Sequence, residues 1–159
     1  MLPSPDQFLH QLFHELEQKE VNISCLYMDH ICYRVSTQDR YQILKKHLDE
    51  SQQLLTETLI NNRPISTFLL KSPFTFRNRT INCLELPSPK KGSPYPEGYE
   101  HVEFVIKTDF PTFIKKNEHL EFDTKGMNKT INPDIRLSLP SSSVKFHHHP
   151  LEYVIRYLD

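Results

Sequence analysis

The stretch "PSPKKGSPYPEG", residues 87 to 98, divides the chain into two runs with the same order of elements. Its prolines and glycines stop a strand and do not support a helix, so it is the best internal boundary in the sequence. Before it, "LYMDHICYRV" is rich in β-formers, and "STQDRYQILKKHLDE" places Tyr41, Leu44 and Leu48 on one side of a helix. "QQLLTETLI", "RPISTFLLK" and "RTINCLELPSP" then read as strands, the first two separated by the turn-rich "NNRP". After the joint comes the strand "YEHVEFVI", and then "DFPTFIKKN", a short helix with Asp109 as cap and Pro111 in its first turn. "LEFDTKGMNKT" is a short strand and loop, and "DIRLSLP" and "SSVKFH" form a hairpin around "PSSS".

A repeated order of strand, helix and further strands predicts an α+β fold, in which two half-sheets pair around a common trough with helices outside. The expected boundaries within one domain, 1–159, are a first module at 26–86 and a shortened second module at 99–149. An N-terminal helix lies within 1–20, where Phe8, Leu9, Leu12, Phe13 and Leu16 recur at helical spacing behind Ser4 or Asp6 as cap. A short closing helix at 150–159 begins after Pro150.

Strand alternation indicates which side chains face the trough. If Ile31, Tyr33 and Val35 pack on a helix, then His30, Cys32 and Arg34 face inward and Asp29 lies on the other side. If Leu84 and Leu86 pack, Glu85 faces inward; if Val102 and Phe104 pack, His101 and Glu103 do; if Val144 and Phe146 pack, Lys145 and His147 do. A single polar strand face is usually just solvated. The joint appearance of His30, Glu85, His101 and His147 is a different matter. Imidazoles with a carboxylate form a ligand set suited to Zn, Ni, Fe or Mn rather than Ca. Glu103, two residues from His101 on the same face, is the candidate general base, and Arg34 and Lys145 are candidates to orient an anionic substrate. Adjacent residues of "HHH" point to opposite faces, so His148 and His149 are expected at the surface or the helix entry. Cys32 and Cys83 read as small buried hydrophobes.

Composition removes other classes. The 19 Lys and Arg against 20 Asp and Glu exclude the basic excess of a general nucleic-acid or membrane-surface binder. Three cysteines fit neither a disulfide framework nor a CxxC site, and three glycines leave no room for a Gly-rich phosphate loop. The start "MLPSPDQFLHQLF" has no signal-peptide pattern, and no run approaches a membrane span, so a soluble cytoplasmic protein is expected.

Together, "MDHICYRV", "NNRPI", "INCLELPSP", "GYEHVEFV" and "VKFH…PLEYVI" resemble the YecM family, a branch of the vicinal oxygen chelate superfamily that includes glyoxalases, bleomycin-resistance proteins and extradiol dioxygenases. The resemblance runs over nearly the whole chain. It implies two βαβββ modules closing around a metal-binding trough, with ligands from the first and last strands of each module. His30, Glu85 and His101 match those positions; the last strand offers His147 where a glutamate is frequent, with Glu152 beyond it on the helix. The implied activity is that of a metal-dependent isomerase, lyase or oxidoreductase on a small oxygen-rich or anionic molecule. The alternatives are a non-catalytic binding module of the bleomycin-resistance type and a protein-interaction domain.

Overall fold

Each helix is placed by the apolar side chains that its sequence spaces along one face. The computed structural model describes residues 2–92 and 94–158. In α1 (Asp6–Gln18), Leu9, Leu12, Phe13 and Leu16 are buried, and the helix starts at Pro5, with the Ser4 hydroxyl accepting the Asp6 N–H at 3.3 Å. In α2 (Gln38–Ser51), Tyr41, Leu44 and Leu48 turn inward behind Thr37, whose hydroxyl accepts the Arg40 N–H at 3.1 Å. Asp109 caps α3 (Phe110–Lys116) in the same way, accepting the Thr112 N–H at 2.8 Å. The chain ends in α4 (Leu151–Tyr157).

The first module comprises β1 (Tyr27–Arg34), α2, β2 (Gln53–Ile60), β3 (Arg63–Phe76) and β4 (Arg79–Pro87). The second comprises β5 (Gly98–Val105), α3, β6 (Phe122–Asp123), β7 (Asp134–Ser138) and β8 (Ser143–His147). With a helix of 7 residues and a first return strand of 2, the second module is the smaller. The fold is α+β, with a mixed sheet. The strands run in the order β2-β3-β4-β1-β5-β8-β7-β6. The two half-sheets expected to pair around a common trough join edge to edge, through antiparallel β1 and β5, into one eight-stranded sheet. Each half alone would leave β1 or β5 as an unpaired edge in its hydrophobic middle, and pairing the two removes both edges.

The outer face of this sheet carries the core. Ile31, Tyr33, Val35, Leu84, Leu86, Val102, Phe104, Val144 and Phe146 are all buried. Phe104 stacks on Phe146 at 5.9 Å between ring centres, and Phe13 of α1 and Phe113 of α3 lie 6.5 and 4.7 Å from those two rings. With one face committed to helices, the period-2 alternation sends His30, Cys32, Glu85, His101, Glu103 and Lys145 to the other, where they line a trough.

The β1–β5 ladder is irregular at two points. The pairing steps from Met28↔Phe104 to His30↔Glu103, leaving Asp29 as an extra residue in β1. It steps again from Cys32↔His101 to Tyr33↔Tyr99, leaving Glu100 as an extra residue in β5. Bulges of this kind re-aim side chains that strict alternation would send elsewhere.

Candidate metal centre

Each bulge places an acid behind a histidine. Asp29, expected on the far face, lies instead with its Oδ2 2.8 Å from His30 Nδ1. Glu100 Oε2 likewise contacts His101 Nδ1. In both rings Nδ1 is held by the preceding carboxylate, and Nε2 is turned to the middle of the trough. His147 Nδ1 donates to the carbonyl oxygen of His149 at 2.7 Å, which leaves its Nε2 as the lone-pair nitrogen.

The Nε2 atoms converge on Glu103. Its Oε1 lies 3.4 Å from His30 Nε2, 3.1 Å from His101 Nε2 and 2.6 Å from the Lys145 ammonium. Its Oε2 lies 3.4 Å from His147 Nε2. Glu85 Oε2 is 3.7 Å from His30 Nε2 and 3.9 Å from His101 Nε2. Four donors thus form one group: His30, Glu85, His101 and Glu103. His147 falls in a second group with Asp29 and His30, its Nε2 3.5 Å from Asp29 Oδ2. Cys32 belongs to a third with Glu100 and His101.

Charge balance explains the protonation of these residues. Burial opposes the charged form of His30, but the Glu103 carboxylate and the Asp29 hydrogen bond overcome it and raise the imidazole to about 10. His101 is also raised well above the usual range despite its burial, Cys32 and Glu100 being among the groups that raise it. Glu103 is held well below the usual carboxylate range by Lys145 and His30, although burial alone would raise it. His147 is lowered by burial, which its acidic neighbours only partly offset. Burial pushes the Cys83 thiol up to about 12, which makes it inert.

The donor set fits a divalent ion. His30 Nε2 is buried and has no hydrogen-bond partner, although it faces two carboxylates and a second imidazole. Ligand atoms at ~2.1 Å around a tetrahedral ion lie roughly 3.4 Å apart. The carboxylate–imidazole spacings here, 3.1 to 3.9 Å, bracket that value, and all four donors lie within 4.8 Å of one another. The carboxylates behind the imidazoles are the outer-shell partners that fix such ligands.

The trough around the donors has a volume of about 570 Å³, within the usual range for a small-molecule site. Leu151, Val154 and Ile155 of α4 form an apolar flank, and the Leu151 N–H donates to Asp29 Oδ2 at 2.9 Å. Arg34 lines the opposite end, its guanidinium 3.1 Å from Glu100 and over the Tyr95 ring at 4.8 Å. Lys145 is turned to Glu103. His148 and His149 point elsewhere: the His148 ring packs on Phe110 at 4.4 Å and the His149 ring lies 5.6 Å from Tyr153. Asp29 and Glu100 are the residues that sequence reasoning missed. Their only local signal is an acid directly before a histidine at the start of two strands.

The family model for "YecM protein" matches residues 2–157. This chain belongs to the YecM family. It is 27% identical to Protein YecM of Escherichia coli strain K12 over 167 residues, covering 94% of this chain and 87% of that protein. It is 29% identical over 148 residues to a Haemophilus influenzae protein, covering 87% of this chain and 77% of that one. Among solved structures, the structural-genomics Protein EC4020 superposes with a TM-score of 0.81 at 24% identity, covering 96% of this chain and 88% of that chain. A methylmalonyl-CoA epimerase in complex with methylmalonyl-CoA and NH4+ superposes with a TM-score of 0.53 at 11% identity, covering 80% and 97%. This YecM-family chain therefore has a glyoxalase-like fold, shared with that epimerase. Among its described residues, no helix is long and apolar enough to cross a membrane.

Proposed function

We propose that this chain binds a divalent metal ion, one of Zn, Ni, Fe or Mn, through His30, Glu85, His101 and Glu103, and acts on a small oxygen-rich anion held in the trough. The observation that carries this reading is the buried, unpartnered Nε2 of His30 facing Glu85, His101 and Glu103. When bound, the ion supplies a Lewis acid able to polarise a carbonyl or stabilise an enolate, the chemistry of an isomerase, lyase or oxidoreductase. Asp29 and Glu100 hold the two imidazoles with Nε2 inward. Lys145 hydrogen-bonds Glu103 and keeps it ionised, so Glu103 serves as a donor to the ion rather than as the general base its spacing suggests. Arg34 supplies a guanidinium for an anionic substrate, and the apolar flank of α4 excludes water. A methylmalonyl-CoA epimerase of the same fold holds a small-molecule ligand, which supports a ligand-binding trough here.

A second reading, a binding module without metal, is favoured by one contact. The Lys145 ammonium, 2.6 Å from Glu103, provides positive charge where an ion would. Metal analysis separates the two. Protein purified without added ions is expected to carry metal, and His30→Ala and His101→Ala are expected to lose most of it while staying folded. Wild type free of metal at both neutral and alkaline pH refutes the metalloenzyme reading, since an ion that binds must displace the proton that His30 holds up to about 10. Variants that retain metal as wild type does also refute it.

A further inference from the structure

Beyond the donor group, the end of the trough occupied by Glu100 has an arrangement of its own. Because the bulge turns Glu100 Oε2 to His101, only Oε1 is left for the side chains above it, and two guanidiniums share that one oxygen. Arg34 of β1 lies 3.1 Å from it and Arg136 of β7 lies 3.3 Å from it. Both arginines line the trough. Among the described residues neither has a second carboxylate within ion-pair distance: Asp134 is engaged by Lys129, and Glu97 by Arg40 and Tyr33. One positive charge is therefore unmatched.

Hydrogen bonding leaves the same gap. Arg136 Nε is buried and donates to nothing, and so is the Tyr95 hydroxyl, whose ring lies beneath the Arg34 guanidinium. Ser143 Oγ is a third buried group without a partner; it sits opposite His101 in the ladder, on the same strand face as Lys145. Burying a donor without an acceptor is unfavourable, so the idle Arg136 Nε, beside two trough-lining guanidiniums that share one carboxylate oxygen, marks a place that lacks an acceptor.

We infer that Arg34 and Arg136, the former stacked on the Tyr95 ring, form a carboxylate-binding subsite, and that the ligand of this trough is a short oxo- or hydroxy-acid. Its carboxylate lies between the two guanidiniums. Its other oxygens reach past His101 toward the His30–Glu85–His101–Glu103 group. The planar fork of a guanidinium matches a carboxylate edge to edge, and two forks held by Glu100 and by the Tyr95 ring lose little freedom on binding. The reach is short: Arg34 is four residues along β1 from His30, about 13 Å at the rise of a strand, and the arginine side chain spans part of it. This assignment rests on the proposed function for the role of the second end, and on the Arg34–Arg136 pair alone for the first.

The test uses the full chain stripped of metal by a chelator, titrated calorimetrically with succinate, inorganic phosphate and neutral succinamide. Succinate is expected to bind and succinamide to give no heat. Arg136→Gln is expected to weaken succinate tenfold or more, and Arg136→Lys, which keeps the charge but not the fork, to restore only part of that. Arg77→Gln, which removes a guanidinium paired with Glu17 on the outer face, is expected to bind as wild type does. Should Arg136→Gln fail to fold, Arg34→Gln tests the same subsite and is expected to weaken succinate tenfold or more, unchanged binding by that folded variant overturning it. Unchanged binding in a folded Arg136 variant, no binding of succinate by wild type, equal binding of succinamide, or tighter binding of phosphate than of succinate each overturns the subsite. Metal content is measured on the same preparations. A chain that binds succinate but never metal refutes the metal site alone, and one that binds metal but not succinate refutes this subsite alone.

Discussion

Asp29 is the residue through which the metal site and the closing helix can be tested at once. Its Oδ2 accepts both the His30 Nδ1–H at 2.8 Å and the Leu151 N–H at 2.9 Å, and its side chain is 2% exposed. Asp29→Ala removes both acceptors. Loss of the carboxylate behind a ligating imidazole lowers metal affinity about 10–100-fold. Each lost hydrogen bond to a charged acceptor costs roughly 1.5–3 kcal/mol, and relief of the buried charge offsets part, so a net destabilisation of ~2–4 kcal/mol is expected. Asp29→Asn separates charge from geometry. An amide oxygen in the same place accepts both N–H groups, so affinity should fall only about tenfold and stability by ~1 kcal/mol. Competition against a chromophoric chelator gives the affinities, and urea denaturation of the metal-free variants gives the stabilities. If Asp29→Ala binds metal within about twofold of wild type, well short of the usual outer-shell effect, the carboxylate does not position His30 and the reasoning fails.

Three further outcomes are expected. Phe104→Ala, which empties a fully buried site stacked on Phe146, should cost ~3–5 kcal/mol in urea denaturation, and a loss under ~1 kcal/mol would contradict the packing described. His149→Ala should leave metal content unchanged, because His147 uses only the carbonyl of residue 149; a loss of metal would show that the side chain takes part. Glu97 is held below the usual carboxylate range by its hydrogen bonds from the Arg40 guanidinium and the Tyr33 hydroxyl, with burial opposing. A depressed folded value means stability that is present above the unfolded pKa and lost as pH falls through the folded one. Glu97→Gln should therefore be less stable than wild type at neutral pH, by about 1 kcal/mol, and thermal melts of the two should converge below pH ~4. A gap that stays constant into acid would remove the ion pair as its cause.

The helix-facing residues were legible in the sequence because one face of each strand is fully buried. Under that constraint, period-2 alternation leaves no choice for Ile31, Val102, Phe104 or Phe146. The family resemblance was equally direct, and the family model bears it out. What escaped depends on register, which is not written locally. Glu103 stands opposite His30, and that pairing brings its carboxylate among the imidazoles; in sequence it was only a neighbour of His101. His147 faces the trough side as its strand predicts, but β8 lies beyond β5, so it meets Asp29 and Glu103 rather than Glu85. The bulges at Asp29 and Glu100 break the alternation rule itself, and no rule based on spacing finds a residue inserted by a step in the ladder. The joining of the half-sheets was hidden for the same reason: nothing in "YMDHICYR" or "GYEHVEFV" alone says that each is the other's partner.

That joint has a kinetic consequence. The β1–β5 ladder extends from Tyr27↔Val105 to Arg34↔Gly98, through the middle of the trough's floor. Spreading the two modules to admit a molecule would break this ladder along its length, so under the proposed function the floor would keep its shape while a ligand came and went. Passage falls to the rim: α4, tied at its first residue by Leu151 to Asp29, and the β2–β3 turn, where Asn61 and Asn62 hold φ at 52° and 59°. Speed of exchange and strength of binding are thus written in different residues. Loosening α4 should raise association and dissociation rates together and leave their ratio nearly unchanged, whereas altering the floor should act on dissociation alone.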